Sequence, residues 1–326
     1  MRSAAFGLLP SRVGLKPFVY WGTLPVVVDI FCDVRRNRRM HSPRSRPPLL
    51  SAVIMSLHTL ALFTLAGCAT NGSRIDRVAK SAGLQRLVVA GTLHSHVVYE
   101  KTASASHDGQ LFVFLEGDGS PWGSSGMQPA ADPTTRNPLA LRLMLATDAK
   151  AIYVARPCYH GYLDAQCSAE RWTGGRYSEE VVASMVAAIA REAAKLRAGN
   201  RIDQLIVVGY SGGGVLAVLI AERLANVAAV ITIGANLDIV AWAAHHRYLP
   251  LSQSLNPRSS PLPHPWKEFH FIGANDAVVP AATADEYFRR YPEAQRITLA
   301  NADHVCCWQT NWPALLAGLR LPSQSE

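Results

Sequence analysis

The sequence lacks the features that define several common classes of protein. It contains no HExxH metal-binding motif, no internal repeat and no uninterrupted run of the about 20 apolar residues that a transmembrane helix needs. Surplus positive charge is missing from most of the chain. Residues 1–67 hold nine of the 32 Lys and Arg and two of the 24 Asp and Glu, which leaves 23 basic and 22 acidic residues for the rest. We therefore expect no nucleic-acid partner, no bound metal and no cofactor.

The first 67 residues have the pattern of an export leader. Residues 35–46 form a basic run, residues 47–65 are mostly apolar, and small residues follow in Leu65-Ala66-Gly67-Cys68. These are the three parts of a secretory signal peptide. Met40 opens a signal of normal length, so we expect it to be the true start of translation; alternatively, residues 1–39 are discarded with the signal. The alternative is a buried apolar helix with an incidental cysteine.

The ending Leu65-Ala66-Gly67-Cys68 resembles the lipobox of bacterial lipoproteins. The resemblance implies that Cys68 is lipidated and becomes the first residue of the mature chain, which gives the protein a membrane partner. Residue 69 is Ala rather than Asp, and the resemblance then favours the outer membrane over retention at the inner membrane. The expected location is the bacterial cell envelope, on the outer membrane and facing the periplasm.

Short apolar runs alternate with helix-compatible stretches over residues 84–322. This alternation predicts a single α/β domain with a mostly parallel central sheet and helices on both faces. Residues 68–83 are small and polar, which predicts a tether ahead of the domain. Residues 236–265 contain five prolines and no clear period, which predicts an irregular excursion at the sheet edge.

The residues around Ser211 predict a strand, a sharp turn and a helix. Residues 205–208 are apolar and largely β-branched, as in a buried strand, and a stretch rich in Ala and Leu follows the turn. Between them lies the G-x-S-x-G pentad Gly209-Tyr210-Ser211-Gly212-Gly213. Such a turn lifts the serine hydroxyl out of the sheet edge, and its glycines leave room where the helix crosses the strand. The alternative is a glycine-rich turn that carries an incidental serine.

Three later strand ends carry polar residues that suit a serine nucleophile. Asp238 follows the strand that ends at residue 233, Asp276 follows the strand that ends at residue 272, and Asp303-His304 follows the last strand. A serine hydroxyl is a poor nucleophile at neutral pH and needs a base, commonly His, that a carboxylate orients. Because loops at the carboxyl ends of parallel strands converge, we expect these groups near Ser211.

The pentad and the order Ser211, Asp276, His304 resemble the α/β-hydrolase family over residues 86–319. Residues 273–280 resemble the family's acid loop, and Ala302-Asp303-His304 resembles its histidine loop. The resemblance implies the α/β-hydrolase fold, with Ser211 as nucleophile, His304 as general base and acid, and Asp276 as the orienting carboxylate. Asp238 is the alternative acid. Asp303 adjoins His304 and is expected to cap or solvate the loop.

The oxyanion hole is expected to use two backbone N–H groups. One belongs to Gly212, and the other to Asp118 or, alternatively, Gly119, in the loop after the third strand. The family more often has His-Gly where this chain has Glu116-Gly117. Because a carboxylate would repel an oxyanion, we expect the Asp118 side chain to turn outward or to pair, with Arg156 as the candidate partner. Three aromatic residues are predicted to line the substrate pocket: Trp122, Tyr210 and Trp242.

The predicted activity is two-step acyl transfer from a small-molecule ester or thioester to water, through an acyl-enzyme on Ser211. The preference for an ester or thioester over an amide follows from the resemblance alone. Two rival functions remain. An acyltransferase would use the same triad with an alcohol acceptor, and a catalytically silent surface lipoprotein would only bind a partner.

Four cysteines remain after the leader and Cys68 are set aside, and four cysteines allow three pairings. Export exposes them to an oxidising compartment, where disulfides persist. We favour Cys158–Cys167, because closing a short local loop costs little entropy. Cys306 and Cys307 would then form a vicinal bond or stay reduced. The other pairings would brace the loop that carries His304.

Overall fold

A computed structural model describes residues 71–102, 109–199, 201–261 and 263–322 of the chain. The leader, Met40 and Cys68 lie outside the described residues, so the export signal and the lipidation stay predictions. No helix in the described part of the chain combines the length and the apolar character needed to cross a membrane.

One sheet of eight strands forms the centre of the domain. The strands are β1 (Gln85–Ala90), β2 (Ser95–Lys101), β3 (Gly109–Leu115), β4 (Ala151–Val154), β5 (Ile202–Tyr210), β6 (Val227–Ile233), β7 (Lys267–Gly273) and β8 (Gln295–Leu299). Their order across the sheet is β1-β2-β4-β3-β5-β6-β7-β8. Strands β1 and β2 are antiparallel to their neighbours, whereas β3 to β8 are parallel. The predicted mostly parallel sheet is confirmed.

The helices lie on both faces of this sheet, as predicted. They are α1 (Asn71–Ser81), α2 (Leu139–Leu145), α3 (Glu179–Arg197), α4 (Gly212–Ala221), α5 (Ile239–His246), α6 (Asp285–Arg290) and α7 (Trp308–Ala317). One apolar cluster joins the sheet to α3 and α4, and the other joins it to α1, α2 and α7.

Strand β3 illustrates why both faces are covered. Leu111 and Val113 belong to the cluster under α3 and α4, whereas Phe112 and Phe114 belong to the cluster on the opposite face. Because successive strand side chains point to opposite faces, a run of consecutive apolar residues needs helices on both sides. Because β3 to β8 are parallel, their carboxyl ends all lie on the same side of the sheet, where the loops that follow them gather. This side is called the carboxyl edge below.

Residues 71–81 differ from the predicted tether, because they form helix α1. Ile75 and Ala79, four residues apart, are both buried against the sheet, while the remaining face of the helix is largely polar. Two buried side chains at helical spacing are enough to dock a short helix whose sequence otherwise reads as a polar linker. The prediction of a tether over 68–83 is therefore wrong for this part.

The excursion at 236–265 is less irregular than its prolines suggest. It contains helix α5, whose N-cap is Asp238, and a short 3₁₀ turn at Pro257–Ser259. Helix α7 likewise tolerates Pro313 inside it. Five prolines and the lack of a clear period therefore did not exclude a capped helix within residues 236–265.

Two disulfides are present among the described residues. Cys158 is bonded to Cys167, the pairing favoured from the sequence, with 5.6 Å between their Cα atoms. Cys306 is bonded to Cys307, which resolves the two alternatives for these residues in favour of the vicinal bond. The first bond closes the loop after β4, and the second lies two residues beyond His304.

Candidate active site

Ser211 occupies the turn between β5 and α4 at the centre of the carboxyl edge. Its backbone has a φ of 53°, a strained conformation for a residue with a side chain. The turn is fixed because the Ser211 N–H donates to the Ile233 carbonyl at 2.8 Å. Close packing of the backbone also requires glycine here, because a Cβ at Gly209 would lie 2.2 Å from the Gly213 carbonyl oxygen. The predicted strand, turn and helix are all present.

Ser211, His304 and Asp276 form one continuous chain of contacts. Ser211 Oγ lies 3.0 Å from His304 Nε2, and His304 Nδ1 lies 2.8 Å from Asp276 Oδ2. The second carboxylate oxygen, Oδ1, accepts the N–H groups of Val278 at 2.9 Å and Val279 at 2.7 Å. Asp276 is therefore held in a fixed orientation by its own loop. This geometry suits a base that removes a proton from the serine hydroxyl.

Aromatic side chains fix the backbone of His304. Tyr210 packs its ring 5.2 Å from the imidazole and donates its hydroxyl to the His304 carbonyl oxygen at 3.0 Å. Trp308 donates its indole N–H to the carbonyls of Asp303 and His304. Trp308 is fully buried, so these bonds tie the histidine loop to the core. Trp308 was not predicted as a site residue, because no motif in the sequence marks an indole that donates to a nearby carbonyl.

The two competing carboxylates have other partners. Asp238 Oδ1 caps α5 by accepting the N–H groups of Val240 and Ala241, and its Oδ2 lies 3.2 Å from Arg258 Nε. Asp303 Oδ1 accepts two N–H groups of its own loop, from Val305 and Cys306. These backbone bonds lower the pKa of Asp303. Asp303 thus caps the histidine loop, in agreement with expectation.

Asp118 lies beside the turn from β5 to α4 that carries Ser211, here called the elbow, and its charge is compensated. Arg156 Nη2 lies 2.9 Å from Oδ1, Arg176 Nη1 lies 2.8 Å from Oδ2, and the Tyr177 hydroxyl donates to both oxygens. Burial opposes ionisation of Asp118, but the two guanidinium charges outweigh burial and lower its pKa. The expected pairing with Arg156 is present, whereas Arg176 and Tyr177 were not foreseen.

The loop after β3 runs directly along the nucleophile. A Cβ added to Gly117 would lie 3.2 Å from Ser211 Cβ, and one added to Gly212 would lie 1.9 Å from Asp118 Oδ1. Gly119 packs instead against Pro133. The segment with the predicted oxyanion donors therefore adjoins the serine, and a side chain at Gly212 would displace the Asp118 carboxylate.

Glu116 is buried and serves a local structural role. Its carboxylate accepts the N–H of Gly117 at 3.2 Å and that of Ala140, in the first turn of α2, at 3.2 Å. Burial raises the pKa of Glu116 to about 7 despite these bonds. Glu116 therefore connects the start of the loop after β3 to the first turn of α2.

Replacing Glu116 tests this assignment through the pH dependence of stability. The folded protein holds this proton up to about pH 7, whereas the unfolded chain releases it near pH 4.5, so the free energy of unfolding falls as pH rises between these values. Above this window the charged carboxylate costs about 3 kcal/mol. Glu116→Gln should therefore raise Tm relative to wild type at pH 8 and raise it much less at pH 5.

Thermal unfolding monitored by circular dichroism at both pH values measures this effect. Glu293→Gln, at an exposed position, is the matched control and should leave Tm unchanged at either pH. An equal Tm difference for Glu116→Gln at pH 5 and pH 8 would contradict the assignment.

The three predicted pocket residues lie in different surroundings. Tyr210 contacts the imidazole of His304, as described above. Trp242 on α5 donates its indole N–H to the Val278 carbonyl on the acid loop at 2.8 Å. Trp122 is 43% exposed in the loop after β3. A cavity of about 340 Å³ lies within the excursion, between α5 and residues 248–256, and its lining includes Ala243, Tyr248 and Leu251.

One cluster outside the triad has ligand types that suit a metal. Atoms of His94, Cys158, Asp164 and Cys167 all lie within 4.8 Å of one another. Both sulfurs are joined in the Cys158–Cys167 disulfide, however, and metals bind the thiolate form of cysteine. His94 Nδ1 and Asp164 Oδ1, 3.2 Å apart, pair with each other instead. We therefore assign no metal to this cluster.

Comparison with solved structures identifies the fold. The chain is similar to the esterase Pf2001 of Pyrococcus furiosus, with a TM-score of 0.52 and 13% identity over 73% of this chain and 92% of that one. It is also similar to the acylaminoacyl peptidase of Pyrococcus horikoshii, with a TM-score of 0.52 and 12% identity over 74% of this chain and 42% of that one. No family profile and no curated protein sequence matches the chain. The protein has the α/β-hydrolase fold.

Proposed function

We propose that the protein is a serine hydrolase that cleaves a carboxylic ester or thioester through an acyl-enzyme. The observation that carries the proposal is the contact chain from Asp276 through His304 to Ser211, with distances of 2.8 and 3.0 Å. It stands at the carboxyl edge, where α/β sheets bind their ligands. The neighbouring solved structures, an esterase and a peptidase, have names that accord with acyl transfer to water.

In the first step, Ser211 Oγ attacks the substrate carbonyl carbon while His304 Nε2 takes the hydroxyl proton. Asp276 holds the Nδ1 proton of His304 and stabilises the imidazolium that forms. The carbonyl oxygen becomes an oxyanion, which the N–H groups of Gly212 and Asp118 bind, with Gly119 as the alternative second donor. The compensated charge of Asp118 permits this arrangement, because an unpaired carboxylate would oppose the oxyanion.

The first half ends when the C–O or C–S bond of the substrate breaks and His304 gives its proton to the leaving group, which leaves the acyl-enzyme on Ser211. Water then attacks the acyl-enzyme, with His304 again as base, and the serine is released with a carboxylic acid. The same triad would serve an alcohol acceptor. Product analysis with added alcohol distinguishes hydrolysis from acyl transfer.

Labelling by a fluorophosphonate probe tests the proposal. The probe phosphonylates only an activated serine, so wild type should be labelled stoichiometrically and Ser211→Ala should not be labelled. Ser124→Ala, at an exposed serine in the loop after β3, is the matched control and should label like wild type. An unlabelled wild-type protein would favour the silent binding lipoprotein instead.

We also propose that Cys68 anchors the protein to the outer membrane of a bacterial cell envelope through a covalent lipid. A single acyl chain gives only marginal attachment, so a stable anchor at Cys68 requires at least two acyl chains there. In a detergent phase partition of protein expressed in a bacterial host, wild type should enter the detergent phase. Cys68→Ser should lose lipid labelling and membrane association. Wild type in the aqueous phase would contradict the lipid anchor.

A further inference from the structure

Exposed apolar side chains are concentrated in the loops at the carboxyl edge. Met127 is 81% and Leu163 is 62% exposed, in the loops after β3 and β4. Val278 follows Asp276 by two residues, and Val305 directly follows His304; both are about half exposed. With two others, the carboxyl-edge group comprises Leu93, Trp122, Met127, Leu163, Val278 and Val305.

Leu93 belongs to this group because of the strand register. Strand β2 runs antiparallel to β4 and pairs Val98 with Val154, the last residue of β4. The turn at residues 91–94 between β1 and β2 therefore lies beyond the carboxyl end of β4. The exposed apolar side chains thus extend along the edge from β1 and β2 to the loop after β8.

The opposite edge of the sheet differs in chemistry. Its described loops at 146–150, 222–226 and 291–294 expose no large apolar side chain and instead expose charged residues such as Asp148, Arg223 and Glu293. Soluble surfaces carry scattered apolar residues, but clustering of them at one edge marks an interaction surface.

The chain enters the domain at this same edge. At the start of α1, Asn71 Nδ2 donates to the Thr134 carbonyl in the loop after β3 at 3.1 Å. Gly72 packs against the loop after β4, since a Cβ there would lie 2.5 Å from the carbonyl carbon of His160. Cys68 precedes Asn71 by three residues, which span at most about 11 Å.

We infer that the carboxyl edge rests on a lipid bilayer with Ser211 facing it, and that the substrate is an acyl ester held in that bilayer. The occupant follows from the lipid proposed on Cys68, which lies three residues ahead of Asn71 in the sequence, and Asn71 contacts the loop after β3 at this edge. The bilayer contact is inferred from the exposed apolar carboxyl-edge group and from the entry of the chain at Asn71. The substrate class rests on the proposed function. A lipid substrate would then reach the serine without crossing water.

Photo-crosslinking tests the bilayer contact. The full chain is reconstituted in vesicles of phosphatidylethanolamine and phosphatidylglycerol that contain a phospholipid with a diazirine in its acyl chain. After illumination, mass spectrometry should find lipid adducts on peptides with Met127, Leu163 and Val305. Peptides that cover 146–150, 222–226 and 291–294 serve as the internal control and should carry none.

Adducts confined to residues before Asn71, or spread equally over both edges, would overturn the inference. A second copy of the chain is the competing occupant. If the edge is covered by a second copy, sedimentation in detergent should show a dimer and the edge peptides should carry no lipid, which would also overturn it.

Matched variants test the substrate class. Met127→Asp combined with Leu163→Asp should lower hydrolysis of a long-chain ester in vesicles by about tenfold or more, because two apolar contacts with the bilayer are lost. Turnover of a soluble short-chain ester should stay unchanged. The control is Val88→Asp, at a 46% exposed position on β1, which should leave both activities unchanged.

The failures of the two proposals are distinguishable. If wild type hydrolyses neither ester and is not labelled by the fluorophosphonate, the proposed function is wrong. The positions of the lipid adducts still test the bilayer contact in that case. If the double variant loses activity equally on both esters, or on neither, the bilayer-held substrate is wrong although the hydrolase stands.

Discussion

Ser211→Ala is expected to reduce turnover of short p-nitrophenyl esters to the background rate while the fold stays intact. Removing the nucleophile of a serine hydrolase lowers kcat by about 10⁴-fold or more, because only binding and oxyanion contacts remain. The fold should survive because alanine keeps the Cβ, so the φ of 53° costs the same in both proteins. The Ser211 N–H also keeps its bond to the Ile233 carbonyl.

Initial rates on p-nitrophenyl acetate, with circular dichroism on the same samples, measure this effect. Ser124→Ala should retain full activity. Turnover by Ser211→Ala at the wild-type rate would remove Ser211 from the mechanism and, with it, the triad.

Asp276→Asn is expected to lower kcat by about 10³- to 10⁴-fold with little change in stability. An asparagine amide facing His304 Nδ1 stabilises the tautomer whose Nε2 carries the proton, and that tautomer cannot accept the proton of Ser211. The asparagine carbonyl oxygen can still accept the N–H groups of Val278 and Val279, so the acid loop keeps its shape.

Asp238→Asn is the matched control, because it changes the alternative acid in the same way. Its remaining oxygen can still cap α5, and the loss of the Arg258 contact at 3.2 Å affects only a partly exposed ion pair. We expect kcat within about threefold of wild type for this variant. A larger loss of kcat in Asp238→Asn than in Asp276→Asn would move the orienting acid to the loop after β6.

The sheet and the candidate triad could be predicted because their signals are local. Each strand is a short apolar run bounded by loop residues, and the strands predicted at 205–208 and before residues 233 and 272 are present as β5, β6 and β7. The elbow is contained in one strand, turn and helix, so its geometry follows from sequence that is contiguous. Asp276 and His304 are distant in sequence, but each directly follows a strand, which fixes the edge where it lies.

The environment of Asp118 could not be predicted in the same way. Arg176 and Tyr177 lie 58 and 59 residues downstream, and nothing in their sequence indicates that they turn toward this carboxylate. Helix α1 was missed for a similar reason, since its stability comes from docking Ile75 and Ala79 rather than from intrinsic propensity. Long-range partners of polar residues leave no periodic signal in a sequence.

The close packing at the elbow has a consequence for sequence design on this backbone. A Cβ at Gly209 would meet the Gly213 carbonyl at 2.2 Å, and one at Gly213 would meet the Leu115 carbonyl at 2.3 Å. Replacing glycine by alanine often stabilises a protein, but at these two positions the added Cβ would clash with the backbone and destabilise the fold. A design that reuses this turn in another protein therefore has to keep residues 209–213 and the end of β3 together. Substitutions that preserve this turn have to be made in the loops around it.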